Sequence, residues 1–527
     1  MRLHRPSCWK AGPVWAPFTY VYTADFLVAV GADVPPAMVV VDETDDVGTR
    51  LPGEPDLDQT SSENDGLHCV RLEMPQTRRQ FLAASLAASG AAQEARPNFL
   101  VVITDDQRWD MMGAAGHPFL QTPNIDRLAR EGVRFTNAFV TTSLCSPARA
   151  SFLTGSYAHA HRVLSNWEDI SDDEMRRSFP ALLQEQGYET AYIGKFHMGR
   201  DPDPRPGFDQ WSAFPGQGSY NDPAVNVNGK MQRIKGHSSK VVADLAVEWL
   251  GGDRRRPFCA VVGFKESRGP YTPPPHLKNL YADRPVQVDD VKLEHLEGKP
   301  SEVEHIQLST PREADHNIPG WPTDYPSRWQ DYWRCITAMD EQLGRILGKL
   351  DEKGLAEDTV VVFAGDNGFF LGELGLFDKR FAYEPSIRIP LVARYPRGVK
   401  AGQVIDRLVL NIDLCPTVLD YAGIGSLDGT RGESWRPLVE GRPAPNWRRW
   451  FLYEDFREHG YVHWPTIQAL RTEKWKYIRY PEGGNEDELY DLERDPGELN
   501  NVSKENGWTG LQTRLGWEID RLVGLTS

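Results

Sequence analysis

The sequence predicts an α/β fold: a large, mostly parallel sheet flanked by helices, with a smaller C-terminal antiparallel sheet plus a helix. Three observations carry this. Short, uninterrupted apolar runs recur from Phe99 onward, and segments of helical period lie between them. After about Pro445 the texture changes to short, aromatic, partly alternating stretches.

The apolar runs are Phe99–Ile103, Ala191–Ile193, Phe258–Val262, Thr359–Phe363 and Leu391–Ala393. A run with almost no polar residue suits a strand covered on both faces, as strands of parallel sheets are. Phe179 to Gln186 has apolar residues at helical spacing and stops at Gly187, and Tyr332 to Leu350 ends in the same way near Gly354. Trp450–Tyr453, Thr466–Leu470, Trp475–Tyr480 and Glu488–Tyr490 then predict the small sheet, and Thr509 to Leu525 the closing helix. A main domain over 96–445 and a C-terminal subdomain over 446–527 follow.

The chain has 527 residues, 40% of them hydrophobic, enough for a sizeable core. Its net charge of −16 argues against a nucleic-acid partner, which needs a basic face. An anionic substrate remains compatible, because a pocket can be locally positive. No run is long enough to be a transmembrane helix. The six cysteines are scattered, without metal-ligand pairs or a disulfide framework, and Cys259 and Cys335 sit among apolar neighbours as inert core residues do.

Residues 1–73 carry 12 acidic and 5 basic residues and are rich in Gly, Pro and Ser from Asp42 to Asp65. They read as disordered, or as upstream sequence ahead of a start at Met74. Residues 74–95 then read as an export signal of the Tat type. Arg78 and Arg79 precede an Ala/Leu run from Phe81 to Ala88, followed by small residues. The protein is therefore expected to be exported, periplasmic or secreted, with the Tat machinery as a partner.

Ligands of open α/β sheets bind beyond the carboxyl ends of the strands. Asp105 and Asp106 follow the first strand, and Asp366 and Asn367 follow the one ending at Ala364. Such an oxygen-rich set suits Ca²⁺ or Mg²⁺ rather than zinc, although each pair alone is also what a turn contains. In Leu144-Cys-Ser-Pro-Ala-Arg149, Ser146 is placed as a helix cap and Pro147 at the first helical position. Cys145 would then lie at a helix N-terminus, with Arg149 one turn on. These residues read either as an activated cysteine in an electropositive site or as a buried thiol beside a structural arginine.

Cys145-x-Pro-x-Arg149 followed by Ala-Ser-Phe-Leu-Thr-Gly155 resembles the defining motif of the type I, formylglycine-dependent sulfatases of the alkaline phosphatase superfamily. Pro97 to Gln107 and Thr122 to Gly132 resemble the family's opening strand and next helix, and the likeness runs to about Asn501. It implies sulfuric ester hydrolysis by a hydrated formylglycine made from Cys145 by a maturation enzyme. Asp105, Asp106, Cys145, Asp366 and Asn367 would hold the metal, and Arg149 would orient the diol. Lys195 and Lys379 would bind sulfate, and His197 would bond the diol and act as base. The C-terminal region resembles sulfatases acting on glycan sulfates, and Tyr220, Tyr271 and Trp464 are aromatic residues able either to stack on sugar rings or to pack.

Two departures stand out. Arg268 occupies the slot where the family commonly has a histidine that binds sulfate or protonates the leaving group. Arginine can bind sulfate but keeps its proton. His276 and His237 are the other candidates for that proton, without support from their positions. Leu374 stands where related sequences often have histidine, removing a substrate or supporting contact. Phosphonate monoester or phosphodiester hydrolysis is the nearest competing reading, and a non-catalytic binder of sulfated glycans is the alternative from another class.

Overall fold

The computed structural model describes residues 96–526, apart from 200, 287–297, 302, 304–324, 426–428, 459–463 and 483–485. The expected upstream segment and export signal lie outside the described residues. No described helix is long and apolar enough to cross a membrane.

The main sheet contains β1 (Asn98–Thr104), β2 (Val133–Phe135), β3 (Glu189–Gly194), β4 (Gln210–Ala213), β5 (Ala224–Val227), β6 (Lys230–Arg233), β7 (Phe258–Gly263), β8 (Thr359–Gly365), β9 (Leu391–Arg394) and β10 (Gln403–Ile405). Their order across the sheet is β10-β2-β9-β8-β1-β7-β3-β4-β5-β6. All five apolar runs are strands. At the centre β8, β1, β7, β3 and β4 run parallel, with Val101 beside both Val261 and Val362. The sheet is mixed, because β9 is antiparallel to both its neighbours and β5 and β6 return antiparallel at one edge.

Side chains of β1 alternate between two cores, as the period of a strand requires. Phe99, Val101 and Ile103 join one apolar cluster and Leu100 and Val102 the other. Helices cover both faces: α1 (Pro123–Glu131), α2 (Cys145–Thr154), α3 (Phe179–Glu185), α4 (Ser238–Gly251), α5 (Tyr325–Glu352) and α6 (Leu414–Tyr421). The long helix α5 begins seven residues before the expected Tyr332, with Pro326 in its first turn. Trp329, Tyr332, Trp333 and Ile336, spaced at helical period, extend its buried stripe toward that start.

The C-terminal strands β11 (Trp450–Asp455), β12 (Ile467–Thr472), β13 (Trp475–Arg479) and β14 (Glu488–Asp491) form an antiparallel meander. Helix α7 (Thr509–Thr526) buries Leu515 and Ile519. This sheet shares one apolar cluster with Phe139, Leu376, Phe381 and Tyr383, so it packs on the segment that carries Lys379.

Candidate active site

Four neighbouring strands, β8, β1, β7 and β3, end side by side, and each leads the chain into a polar segment. Asp105 and Asp106 follow β1, Asp366 and Asn367 follow β8, Lys195 follows β3, and the segment leading to Arg268 follows β7. The crowding leaves no room for side chains on the backbone beneath: a Cβ at Gly263 would lie 2.3 Å from the Lys195 carbonyl. Asp106 adopts a φ of 54°. Its amide donates to Asp366 Oδ1 at 3.0 Å, so the turn brings the two residues together.

Helix α2 brings the thiol to them. It begins at Cys145 itself, with Leu144 in the cap position, rather than after a cap by Ser146. The Ser146 hydroxyl is used elsewhere, donating to the His197 carbonyl at 2.5 Å. Its amide is taken by Asn166 Oδ1 at 3.1 Å, a cap supplied from a different segment. Pro147 is accordingly the third helical residue. Atoms of Asp105, Asp106, Cys145 and Asp366 that could ligate a metal, all fully buried, lie within 4.8 Å of one another.

The cations surround this cluster. Arg149 Nε donates to Asp366 Oδ2 at 2.9 Å and Nη1 to the Lys195 carbonyl at 2.7 Å. Lys195 pairs with Asp105, and Lys379 with Asp106. Lys379 Nζ also lies 3.1 Å from Cys145 Sγ. Arg268 Nη1 reaches Asp106 Oδ2 at 2.9 Å, and with its side chain 25% exposed it marks the open side of the group. His197, at a φ of 50°, is buried, and its Nδ1 has no hydrogen-bond partner among the described residues. The ten residues to which the resemblance gave a metal, nucleophile or sulfate role therefore meet in one place.

The donor set fits a hard divalent cation. Asn367 Nδ2 is spent on Asp106 Oδ1 and the Gly368 carbonyl, both at 2.7 Å. Its Oδ1 is buried with no partner among the described residues, as an oxygen kept for a metal would be. Burial and the Asp105 carboxylate push Asp366 up, while burial of Asp105 is outweighed by Lys195, Lys379 and Arg149, which hold it well below the usual carboxylate range. A cation would relieve the repulsion among these acids. Burial, then Asp105, pushes the Cys145 thiol up to about 12, so the thiol keeps its proton at neutral pH. Burial and Lys195 hold His197 well below the ordinary imidazole range, which keeps the ring neutral.

Residues 97–424 match the profile of the Sulfatase family, and residues 372–523 match the one described as N-sulphoglucosamine sulphohydrolase, C-terminal. The chain belongs to the sulfatase family. This sulfatase, within the alkaline phosphatase superfamily, is an enzyme that hydrolyses sulfuric esters. It is 32% identical to an N-acetylglucosamine-6-O-sulfatase of Bacteroides thetaiotaomicron, over 80% of this chain and 85% of that one. It is 28% identical to the human N-acetylglucosamine-6-sulfatase, over 79% and 82%. Among solved structures it resembles a protein in complex with its substrate D-glucosamine-2-N,6-O-disulfate, at a TM-score of 0.73 and 29% identity over 81% of this chain and 97% of that one. A phosphonate monoester hydrolase of Agrobacterium radiobacter shares the fold, at a TM-score of 0.66 and 24% identity over 82% and 96%.

Both histidines considered as substitutes for Arg268 are engaged elsewhere in the sulfatase. His237 has both ring nitrogens engaged, by Ser239 Oγ at 2.9 Å and the Thr272 carbonyl at 2.8 Å. His276 is on the surface, paired with Glu341. Leu374 is buried in the apolar cluster with Phe370 and Phe381, where its side chain adds packing. The aromatic candidates are also largely buried: Tyr271 packs on Tyr332, Trp464 on Phe381, and Tyr220 donates to the Arg268 carbonyl at 2.6 Å. Sequence reasoning passed over Lys265, which lies 4.9 Å from the Tyr220 ring. Burial and Lys195 push it down to about 8. Its signal in the sequence was its place just past the end of β7, three residues before Arg268.

Proposed function

We propose that this sulfatase removes sulfate from a sulfated glycan, with Cys145 converted to formylglycine and Ca²⁺ or Mg²⁺ held by Asp105, Asp106, Asp366 and Asn367. The observation that carries the reading is the unpartnered Asn367 Oδ1, buried beside a cluster of three carboxylates that also contains Cys145. The glycan class is supported by relatives named for N-acetylglucosamine 6-sulfate and by the likeness to a protein bound to a disulfated glucosamine. The twin arginines at Arg78 and Arg79 support export by the Tat route, and the modification calls for a formylglycine-generating partner.

When bound, the cation draws off charge that builds on the sulfate oxygens. A hydrated formylglycine at position 145 would supply two geminal hydroxyls, one as a nucleophile for sulfur and one carrying the proton whose removal would free sulfate. Lys195 and Lys379 place fixed positive charge beside the reacting position, and a dry pocket strengthens it. Arg149, anchored by Asp366 and the Lys195 carbonyl, keeps a guanidinium edge next to residue 145. Neutral His197 takes the proton in the release step. Arg268 adds a charge at the open side and gives up no proton to the departing alcohol.

Intact mass of protein from its native host, followed by sulfate release from a panel of sulfated mono- and oligosaccharides, tests the reading. Matched phosphate and phosphonate esters are the control. Expected are a modified residue 145 and preference for a sulfated amino sugar. Unmodified Cys145 throughout, with no sulfate released, would favour the glycan binder instead.

A further inference from the structure

We propose that Glu458, from the C-terminal region, is a positioning residue that ties the sulfate-binding lysine loop to the start of the nucleophile helix. The residue is 2% exposed and its carboxylate is used on both sides. Oε2 accepts from Arg380, the residue after Lys379, at 3.1 Å from Nε and 2.6 Å from Nη2. Oε1 accepts the Asn166 amide at 3.0 Å. Asn166 Oδ1 in turn takes the amide of Ser146, the residue after Cys145, and the Ser146 hydroxyl bonds the His197 carbonyl. One carboxylate thus reaches the immediate neighbours of Lys379 and Cys145, and through them His197.

The neighbouring strand points the same way. Tyr453 on β11 donates its hydroxyl to the Arg380 carbonyl and accepts the Ser143 amide at 3.3 Å. Arg380 and His197 both have positive φ, at 87° and 50°, conformations that need outside support in residues with a side chain. Glu458 cannot be replaced by an amide without loss. Glutamine presents one acceptor and one donor, so either Arg380 or the Asn166 N–H faces a group of the wrong kind.

The inference rests on the sulfate-ester reaction but not on which ester is natural. The experiment compares Glu458→Gln, Asn166→Ala and the double variant in the full-length, modified enzyme. The first readout is turnover of the sulfated sugar that the wild type hydrolyses best. Each single change is expected to lower kcat about 10- to 100-fold with KM within about threefold, because misplacement penalises the transition state more than binding. The double variant should be no worse than the poorer single one. The second readout is hydrogen exchange in the segments holding Ser146 and Asn166, which does not depend on turnover. Glu458→Gln should quicken both at unchanged global stability. Unchanged exchange, additive losses, or quickened exchange with normal kcat each overturns the role. If the wild type hydrolyses no sulfate ester, the functional reading fails while exchange still decides the bridge.

Discussion

At the scale of the residue, the sharpest feature is Arg268. A guanidinium beside Asp106 holds its proton across the working pH range, so in the proposed reaction the alcohol would depart without a donor at this position. Arg268→His restores a titratable group. In a pH profile of kcat/KM the variant should gain an alkaline limb near the imidazole pKa, because the acid works only while protonated. Its rate on alkyl relative to aryl sulfates should rise about tenfold or more. A profile matching the wild type, with no gain on poor leaving groups, sinks the idea. Asn367 gives a second prediction: Asn367→Ala removes both the unpartnered oxygen and the amide support of Asp106. Calcium affinity measured by calorimetry should fall about 10- to 100-fold. The candidate metal ligands and the thiol were legible because each follows a strand or opens a helix within a short motif. Glu458 was not: it meets Asn166 across 292 positions, and no local pattern announces a partner so remote.

At the scale of the element, the helix carrying the thiol is fastened by a histidine. His161 Nε2 lies 3.1 Å from Ser151 Oγ on α2, and the Val163 amide donates to Nδ1 at 3.2 Å. Burial, with His159 next, pushes His161 down to about 3. The folded protein therefore prefers the neutral ring, and the unfolded chain binds the extra proton between about 3 and about 6.5. Stability from this contact is present above the ordinary imidazole pKa and is lost as pH falls toward 3. Denaturant midpoints should decline over that window, and His161→Gln should flatten the decline; equal slopes would remove His161 from the account. Elements with continuous apolar runs could be read directly. The edge strand Lys230–Arg233 could not, since all four residues are exposed and its pairing is decided by neighbours. The start of α1 was legible but its anchor was not: Asp340 on α5 accepts the Ile125 amide at 2.8 Å, a cap that no local sequence shows.

For the whole molecule, the C-terminal sheet belongs to the site as well as to the fold. Glu454 on β11 accepts from the His159 ring at 2.7 Å, and Tyr453 and Glu458 reach the Lys379 segment. A chain ending at residue 445 would uncover Phe139, Phe381 and Tyr383, all now fully buried. Such a chain should be largely insoluble and, where soluble, inactive. Soluble yield, size-exclusion behaviour and turnover check this, and a monodisperse fragment with normal kcat would contradict it. The aromatic strands after Pro445 were legible as a sheet, but their packing against the lysine loop was not, because it is a property of the closed structure.

The complete burial of residue 145 has a consequence for biogenesis. Once folded, the protein offers no surface at this side chain for a modifying enzyme to grasp. If formylglycine is the working form, oxidation has to precede folding, during or soon after synthesis. A translocase that carries finished proteins would then deliver an enzyme already armed, and one that threads unfolded chains would leave the modification to be made on the far side.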